Sequence, residues 1–528
     1  MKSILLLGLF VFHNVFCANV RVDPLVKIDQ GLVRGEKSAD GTYSSFLGIP
    51  YAGVDLDDPF GPAQPAPQFN EIFNAYTGSI KCPQINRDGN DEGTLDCLRL
   101  NIYVPSQATS KNPLPVLVWI HGGGFGSRSA GEFIPSNLVK QGIIVVTINY
   151  RLGPYGFLCL DNPSVPGNQG IKDQYAALQW IKTNIGAFGG NPYEVTLGGE
   201  SAGSASVLYH LYSPNDKLYN KIIIQSDTPQ NEGMFVKKDV NAAIKIAENL
   251  GFSTTDTEQA LEFLKNTSPN LVVAAAKEAN LQLKPCKEQS FDGVDNIIES
   301  NPFSLSNQRK VRNTPVLIGH TSKEHMGVLL DMYGSDYLKG NPFYDKLKNN
   351  FNLDENVLNK AADIVKYFYV GDSSLSEAQL PVLEDFDSDF VFYHPVQRTV
   401  TNLLNDNAKA VYQYLFKYVG DSEADGAAHA AENDYLFYSS EIPRNEEDKL
   451  MIERMATLWT NFVKYGNPTP TVSELLPVTW EPTSIESRPY LVIDNDLRVD
   501  HRVFHDRMAF WDLFYAMFGD QNIYADSE

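Results

Sequence analysis

The sequence predicts an α/β fold: a central, mixed but mostly parallel sheet wrapped by helices, with helical insertions. Three observations predict it. Short apolar runs of strand length alternate with longer segments whose apolar residues recur at helical spacing. One strand–helix–strand unit is complete between residues 143 and 197. No internal repeat, low-complexity tract or linker-like charge run divides the chain, so residues 18–528 read as one domain.

The elements follow in order. Runs 116–120, 143–148 and 195–197 read as buried strands. Between the last two, Tyr175, Leu178, Ile181 and Ile185 recur at helical spacing, and Gly189-Gly190 supplies the stop. Strand, helix, strand predicts parallel pairing with a right-handed crossover. Runs 221–224 and 316–318 read as later strands of the same sheet, and 410–418 is strand-like. Residues 230–310 and 330–410 are mostly helical in pattern and read as insertions beside the sheet. Segment 451–465 is amphipathic and stops at Gly466-Asn467-Pro468. The aromatic-rich 504–518 reads as a helix docked on its own chain, with an oligomer contact as the alternative.

With 43 basic against 65 acidic side chains, the net charge is -22. Such a field repels phosphate backbones and anionic membranes, which argues against a nucleic-acid partner. Lys2 followed by the apolar run 4–12 is too short to span a bilayer and has the form of a secretory leader. Cleavage is expected after Cys17, with Ala18 as second choice, making 1–17 a signal peptide. No later stretch reads as a membrane span, and the C-terminal Ala-Asp-Ser-Glu is not a retention signal, so a secreted, extracellular protein is expected. Five cysteines are present. Cys82 and Cys97 are the natural pair in an oxidising compartment, and closing so short a loop is worth about 3 kcal/mol. Cys159, in the apolar Gly-Phe-Leu-Cys-Leu, reads as a buried thiol; Cys286 is left either free or paired with it. None has zinc-ligand spacing, and no metal is expected. The one glycosylation sequon, Asn266-Thr267-Ser268, is followed by Pro269.

The strongest local signal is Gly199-Glu200-Ser201-Ala202-Gly203, between the apolar 195–197 and a helix-compatible stretch. A serine on a sharp strand-to-helix turn needs glycine two residues to either side, where the chain folds back on itself. The turn also sets Ser201 at a helix N-terminus, whose dipole favours developing negative charge. Without the flanking strand and helix, the same pattern is an ordinary glycine-rich turn. Directly after 116–120 comes His121-Gly122-Gly123-Gly124-Phe125, where bare N–H groups can approach an oxyanion. The candidate donors are the amides of Gly123, Gly124 and Ala202. A phosphate cradle is the alternative, but the Lys-Ser/Thr ending of a Walker loop is missing.

A serine hydroxyl needs an imidazole to take its proton, and in the α/β-hydrolase fold the chain order is serine, acid, histidine. Of nine histidines, His429 lies in a small-residue loop, Gly426-Ala427-Ala428-His429-Ala430-Ala431-Glu432, just after the strand-like 410–418. Glu324 follows 316–318 within a few residues, where catalytic groups gather at the carboxyl ends of strands. A surface glutamate paired with Lys323 is the bland alternative.

Several segments together resemble the carboxylesterase/cholinesterase family, the type-B carboxylesterases. They include Phe46-Leu47-Gly48-Ile49-Pro50-Tyr51-Ala52, 95–105, the His-Gly-Gly-Gly-Phe and Gly-Glu-Ser-Ala-Gly motifs, 149–158, 167–192, Gly319-His320-Thr321-Ser322-Lys323-Glu324 and 459–468. The resemblance covers nearly the whole chain after the leader. It implies an α/β-hydrolase fold and a serine esterase acting through Ser201, Glu324 and His429. It implies oxyanion amides on Gly123, Gly124 and Ala202, and a disulfide between Cys82 and Cys97. It further implies a buried supporting carboxylate at Glu200, a supporting hydroxyl at Ser226, and no cofactor. Cholinesterases carry a tryptophan inside the first disulfide loop for cation–π binding; residues 82–97 have none, which disfavours choline esters. The second family disulfide lacks a clear counterpart. Juvenile hormone esterases usually place Gln before the nucleophile, where this chain has Glu200. The overall look is similar to insect secreted carboxylesterases, antennal or juvenile-hormone-esterase-like. The expected partner is a small hydrophobic ester such as an odorant, pheromone, xenobiotic or juvenile hormone, for a monomer or homodimer. The alternatives are a non-catalytic, cholinesterase-like adhesion protein and an ester-sequestering carrier.

Overall fold

The computed structural model describes residues 24–525 apart from 87, 335 and 438–443, so the expected leader and its cut after Cys17 lie outside the described residues. Among the described residues an eleven-stranded sheet dominates. Its strands, in chain order, are β1 (Glu36–Lys37), β2 (Tyr43–Pro50), β3 (Arg99–Pro105), β4 (Leu114–Ile120), β5 (Ile144–Ile148) and β6 (Gly190–Glu200). They continue with β7 (Lys221–Gln225), β8 (Pro315–Thr321), β9 (Ala410–Phe416), β10 (Pro489–Ile493) and β11 (Arg498–His501). Across the sheet the order is β11-β10-β9-β8-β7-β6-β4-β5-β3-β2-β1. From β5 to β10 all neighbours are parallel. Both flanks turn antiparallel.

Parallel strands covered on both faces read as unbroken apolar runs, and all five residues of β5 are buried. Successive side chains alternate between the two faces. Val116, Val118 and Ile120 join one apolar cluster, while Leu117 and Trp119 join the opposite one. Helices α1 (Gln169–Asn184) and α2 (Ala202–Tyr212) cover the first face through Ile171, Leu178, Ile181, Val207 and Leu211. Helix α3 (Glu446–Tyr465) covers the second with Met455, Leu458, Trp459 and Phe462. It begins before the predicted 451 because the Asn445 side chain caps the Asp448 N–H at 2.7 Å, a signal invisible to apolar periodicity. It ends, as predicted, at Gly466, which takes the left-handed φ of 67°. Helix α4 (His505–Phe518) docks on its own chain, with Trp511 and Phe514 packed among Phe351, Phe386 and Phe390. The insertions are helical, as at Ala242–Asn249, Thr257–Lys265 and Glu355–Tyr369.

Two expectations need correction. The strands flanking α1, β5 and β6, run parallel but are not neighbours, because β4 lies between them and pairs with both. The lateral slot of a strand is decided by which faces its neighbours bury, which its own pattern does not encode. Cys159 is not a free thiol: it is bonded to Cys286, with Cα atoms 6.7 Å apart. Gly167 leaves room for this bridge, since a Cβ there would lie 2.7 Å from the Cys286 sulfur and 3.0 Å from that of Cys159. Cys82 and Cys97 are also bonded, Cα atoms 5.0 Å apart. No helix among the described residues is long and apolar enough to cross a membrane.

Candidate active site

At the carboxyl ends of the parallel strands, β6 runs straight into α2 through Ser201, whose φ of 57° and ψ of -130° lie in strained territory for a residue with a Cβ. The glycines on either side make this turn possible. A Cβ on Gly203 would sit 2.1 Å from the Ile120 carbonyl oxygen, and one on Gly199 would sit 2.4 Å from the Gly203 carbonyl carbon. The Ser201 N–H donates to the Gln225 carbonyl at 2.9 Å. The Gln225 side chain in turn accepts from Trp459 Nε1 at 2.9 Å, tying the turn to α3. Ser201 keeps 8% of its surface exposed, enough to present the hydroxyl.

The glycine loop after β4 faces this turn. A Cβ on Gly122 would lie 2.7 Å from the Glu200 carbonyl oxygen, so the two segments touch backbone to backbone. Gly123 and Gly124 both take positive φ, 95° and 58°. A Cβ on Gly123 would meet the Ser127 carbonyl oxygen at 2.3 Å, so a side chain is excluded there. Ala202 is the first residue of α2, and its N–H belongs to the helix's unpaired N-terminal set.

The other two predicted residues meet directly. His429 Nδ1 and Glu324 Oε2 are 2.6 Å apart. Glu324, just past β8, also accepts from the Thr321 N–H at 2.8 Å, and its own N–H donates to the Tyr393 hydroxyl at 3.2 Å. Their loops are stitched together: Lys323 N–H donates to the Ala427 carbonyl at 2.9 Å and Ala427 N–H to the Ser322 hydroxyl at 3.0 Å. The far ring nitrogen, His429 Nε2, lies 3.1 Å from Oε1 of Glu200, the residue before Ser201. Burial opposes charge on His429, but Glu324, Glu200 and Asp227 outweigh it and raise the imidazole above its usual range. For Glu324, burial is outweighed by His429, which holds the carboxyl low. Ser226 lies at the end of β7 with φ 74°, and its buried hydroxyl has no hydrogen-bond partner among the described residues.

Four residues escaped sequence reasoning. Arg128, at φ 76°, brings Nη1 to 3.7 Å from Glu200 Oε2. Glu432, three residues after His429, is buried and accepts from the Tyr414 hydroxyl at 3.0 Å; burial, with Glu324 and Glu200 adding, pushes it up to about 8. Asp227 is buried beside the Ser201 hydroxyl; burial pushes it up to about 7, although His429 and that hydroxyl pull the other way. Lys284 donates to the Gly124 carbonyl. The positions of Asp227 beside Ser226 and Glu432 beside His429 were the available signals. Nothing in the sequence marked Lys284.

A polar cavity of about 760 Å³ opens at His429, lined by Lys81, Glu92, Arg128, Glu132 and Asp434 among others. The arrangement offers a hydroxyl at a helix N-terminus, glycine amides in front of it, and an imidazole oriented by a carboxylate, the set that acyl transfer requires. Comparison with known proteins agrees with this chemistry. The chain is 30% identical to esterase FE4 of Myzus persicae, over 91% of this chain and 92% of the relative. It is 28% identical to a juvenile hormone esterase of Heliothis virescens, over 84% and 85%. Among solved structures it is similar to juvenile hormone esterase from Manduca sexta with OTFP covalently attached, at TM-score 0.82 and 26% identity, covering 94% of this chain and 100% of that one. Residues 22–511 match the carboxylesterase family throughout, and the chain therefore belongs to that family of carboxylic ester hydrolases.

Proposed function

We propose that this protein is a secreted serine carboxylesterase that hydrolyses hydrophobic esters through an acyl-enzyme on Ser201. The observation that carries the mechanism is the 2.6 Å contact of His429 with Glu324, with the opposite ring nitrogen facing the residue that precedes Ser201. His429 takes the proton from Ser201 as the hydroxyl oxygen bonds the ester carbonyl carbon. The N–H groups of Gly123, Gly124 and Ala202 hold the resulting oxyanion. Collapse breaks the bond to the alcohol oxygen, which leaves with the proton from His429. Water then adds to the acyl carbon by the same route, freeing the acid and regenerating Ser201. Glu324 keeps the imidazole in the correct tautomer and stabilises its charged form.

The ester class rests on the likeness to insect esterases and juvenile hormone esterases. Two disulfides fit an oxidising compartment, and the leader-like 1–17 fits secretion. After its removal 18–528 works as one catalytic domain. Asn266, at the exposed end of a helix, is the acceptor for any N-linked glycan.

The test is a panel of juvenile hormone, acetate pheromones and short aryl esters, run on wild type and Ser201→Ala. Wild type hydrolyses members of the panel, an organophosphate adds its phosphoryl mass to Ser201, and Ser201→Ala loses at least a thousandfold in kcat. Equal hydrolysis by the two proteins would end the acyl-enzyme reading.

A further inference from the structure

Amide groups can hold an oxyanion only if their peptide planes are fixed before the charge appears, and Gly123 and Gly124 have the softest backbones available. The structure fixes the loop from behind, through its carbonyls: those of Gly122 and Gly123 share peptide planes with the Gly123 and Gly124 N–H groups, and that of Gly124 fixes the next plane along. From His121 to Phe125 every carbonyl has a donor: the Tyr150 hydroxyl on His121 at 2.9 Å, His121 Nδ1 on Gly122 at 2.9 Å, and the N–H groups of Gly126 and Ser127 on Gly123 at 3.0 and 3.1 Å. Gly153 N–H reaches Phe125 at 2.9 Å. These donors sit in the loop itself or in the chain just after β5. The Gly124 carbonyl is different. Its donor is the Lys284 ammonium, 160 residues away in sequence. A Cβ built on Gly124 would find only Lys284 Nζ within 4 Å, at 3.3 Å, so the ammonium lies against the open side of that glycine.

No helix or strand passes through 281–289, so the position of Lys284 comes from cross-links. Two residues on, Cys286 is bonded to Cys159. The Asn168 side chain holds the backbone of Cys286 at both ends, accepting from its N–H at 3.0 Å and donating to its carbonyl at 2.8 Å. The Pro285 carbonyl accepts from Val236 N–H at 2.9 Å. Burial lowers the Lys284 ammonium below its ordinary range, and the facing carboxylate, Asp227, itself beside Ser201, works against that.

We propose that Lys284 is a positioning residue for ester hydrolysis: tied to the Gly124 carbonyl and anchored by the Cys159–Cys286 bridge, it clamps the Gly124–Phe125 peptide at the far end of the glycine loop and so keeps the Gly123 and Gly124 amides, in the two preceding peptide planes, aimed at the carbonyl oxygen of the bound ester. The proposal rests on the acyl-enzyme reading above. It is a role exerted on the transition state, because the negative oxygen gains more from aligned amides than the neutral carbonyl does.

The experiment measures kcat and KM for a short aryl ester, and the affinity of a trifluoromethyl ketone that forms a tetrahedral adduct, in wild type, Lys284→Met, Lys284→Gln and Lys284→Arg. Loss of the tether is expected to lower kcat by roughly ten- to a hundredfold in the Met and Gln proteins, since small misplacement of catalytic groups costs on that order. KM should stay within about twofold, ketone affinity should fall in step with kcat, and Arg should retain most of the wild-type kcat. If Lys284→Met does not fold, the Gln and Arg proteins carry the same comparison. Wild-type kcat in Met or Gln, a loss expressed in KM, or an Arg protein as slow as Gln each overturns the proposal. Failure of the underlying reading looks different, because Ser201→Ala would then match wild type.

Discussion

Removing the Cys159–Cys286 bridge, by Cys159→Ser together with Cys286→Ser, is expected to cost more stability than removing Cys82–Cys97 in the same way. The two bridges span 127 and 15 residues of sequence. In the chain-entropy account, cross-links of those lengths stabilise by about 5 and about 3 kcal/mol, because the longer loop removes more freedom from the unfolded chain. Unfolding roughly 500 residues carries an entropy of about 1 kcal/mol per kelvin, so the midpoints should fall by about 5 °C and about 3 °C. Differential scanning calorimetry of the two double variants and wild type, at one scan rate and one concentration, measures this directly. The longer bridge has a second effect to report. It anchors the segment carrying Lys284, so kcat at a temperature well below the midpoint should drop in the Cys159/Cys286 variant. A short-bridge variant that melts lower than the long-bridge variant would refute the entropic reasoning.

Three further outcomes follow from the site. Glu200 stands 3.1 Å from His429 Nε2 and helps raise that imidazole, so Glu200→Gln should lower it. With His429 as the proposed base, hydrolysis switches on as pH rises through its titration, so the acid limb of kcat/KM should move to lower pH by about one pH unit, read from a pH–rate profile. Gly203→Ala would drive a methyl to 2.1 Å from the Ile120 carbonyl oxygen. Backbone must move, and a loss of about 1–3 kcal/mol in unfolding experiments with at least a hundredfold loss of activity is expected. Glu432 is raised to about 8 by burial first and by Glu324 and Glu200 next. From roughly its ordinary unfolded value up to 8, the unfolded chain has lost a proton that the folded chain retains, so wild-type stability declines as pH rises. Glu432→Gln removes that decline, and its melting temperature relative to wild type should climb between pH 5 and pH 8.

Much of the protein was legible in one dimension because its signals are local. The strands that became β4 to β9 announced themselves as apolar runs, and the helix stops at Gly189 and Gly466 as residues able to take positive φ. The turn at Ser201 was legible for the same reason, since its glycines answer clashes with backbone only a few residues away or in an adjoining strand. The flanking strands β1, β2, β3, β10 and β11 escaped notice. β2 is half-buried for much of its length and lacks a continuous apolar run, whereas β10 is a short, fully buried apolar run that escapes sequence reasoning.

The sequence by itself determined the candidate catalytic side chains, the glycines that let backbone approach backbone, and the alternation that builds a two-faced sheet. The tertiary structure alone decided which strands lie side by side, that Cys159 finds Cys286, and that Lys284 reaches Gly124. It also decided that four carboxylates, Glu200, Asp227, Glu324 and Glu432, share one buried neighbourhood with His429, where their fields shift the protons of His429, Asp227, Glu324 and Glu432. The physical reason is range. Backbone conformation and apolar periodicity act over a few residues, whereas desolvation and Coulomb fields act through space, on groups that the fold brings together across hundreds of residues of chain.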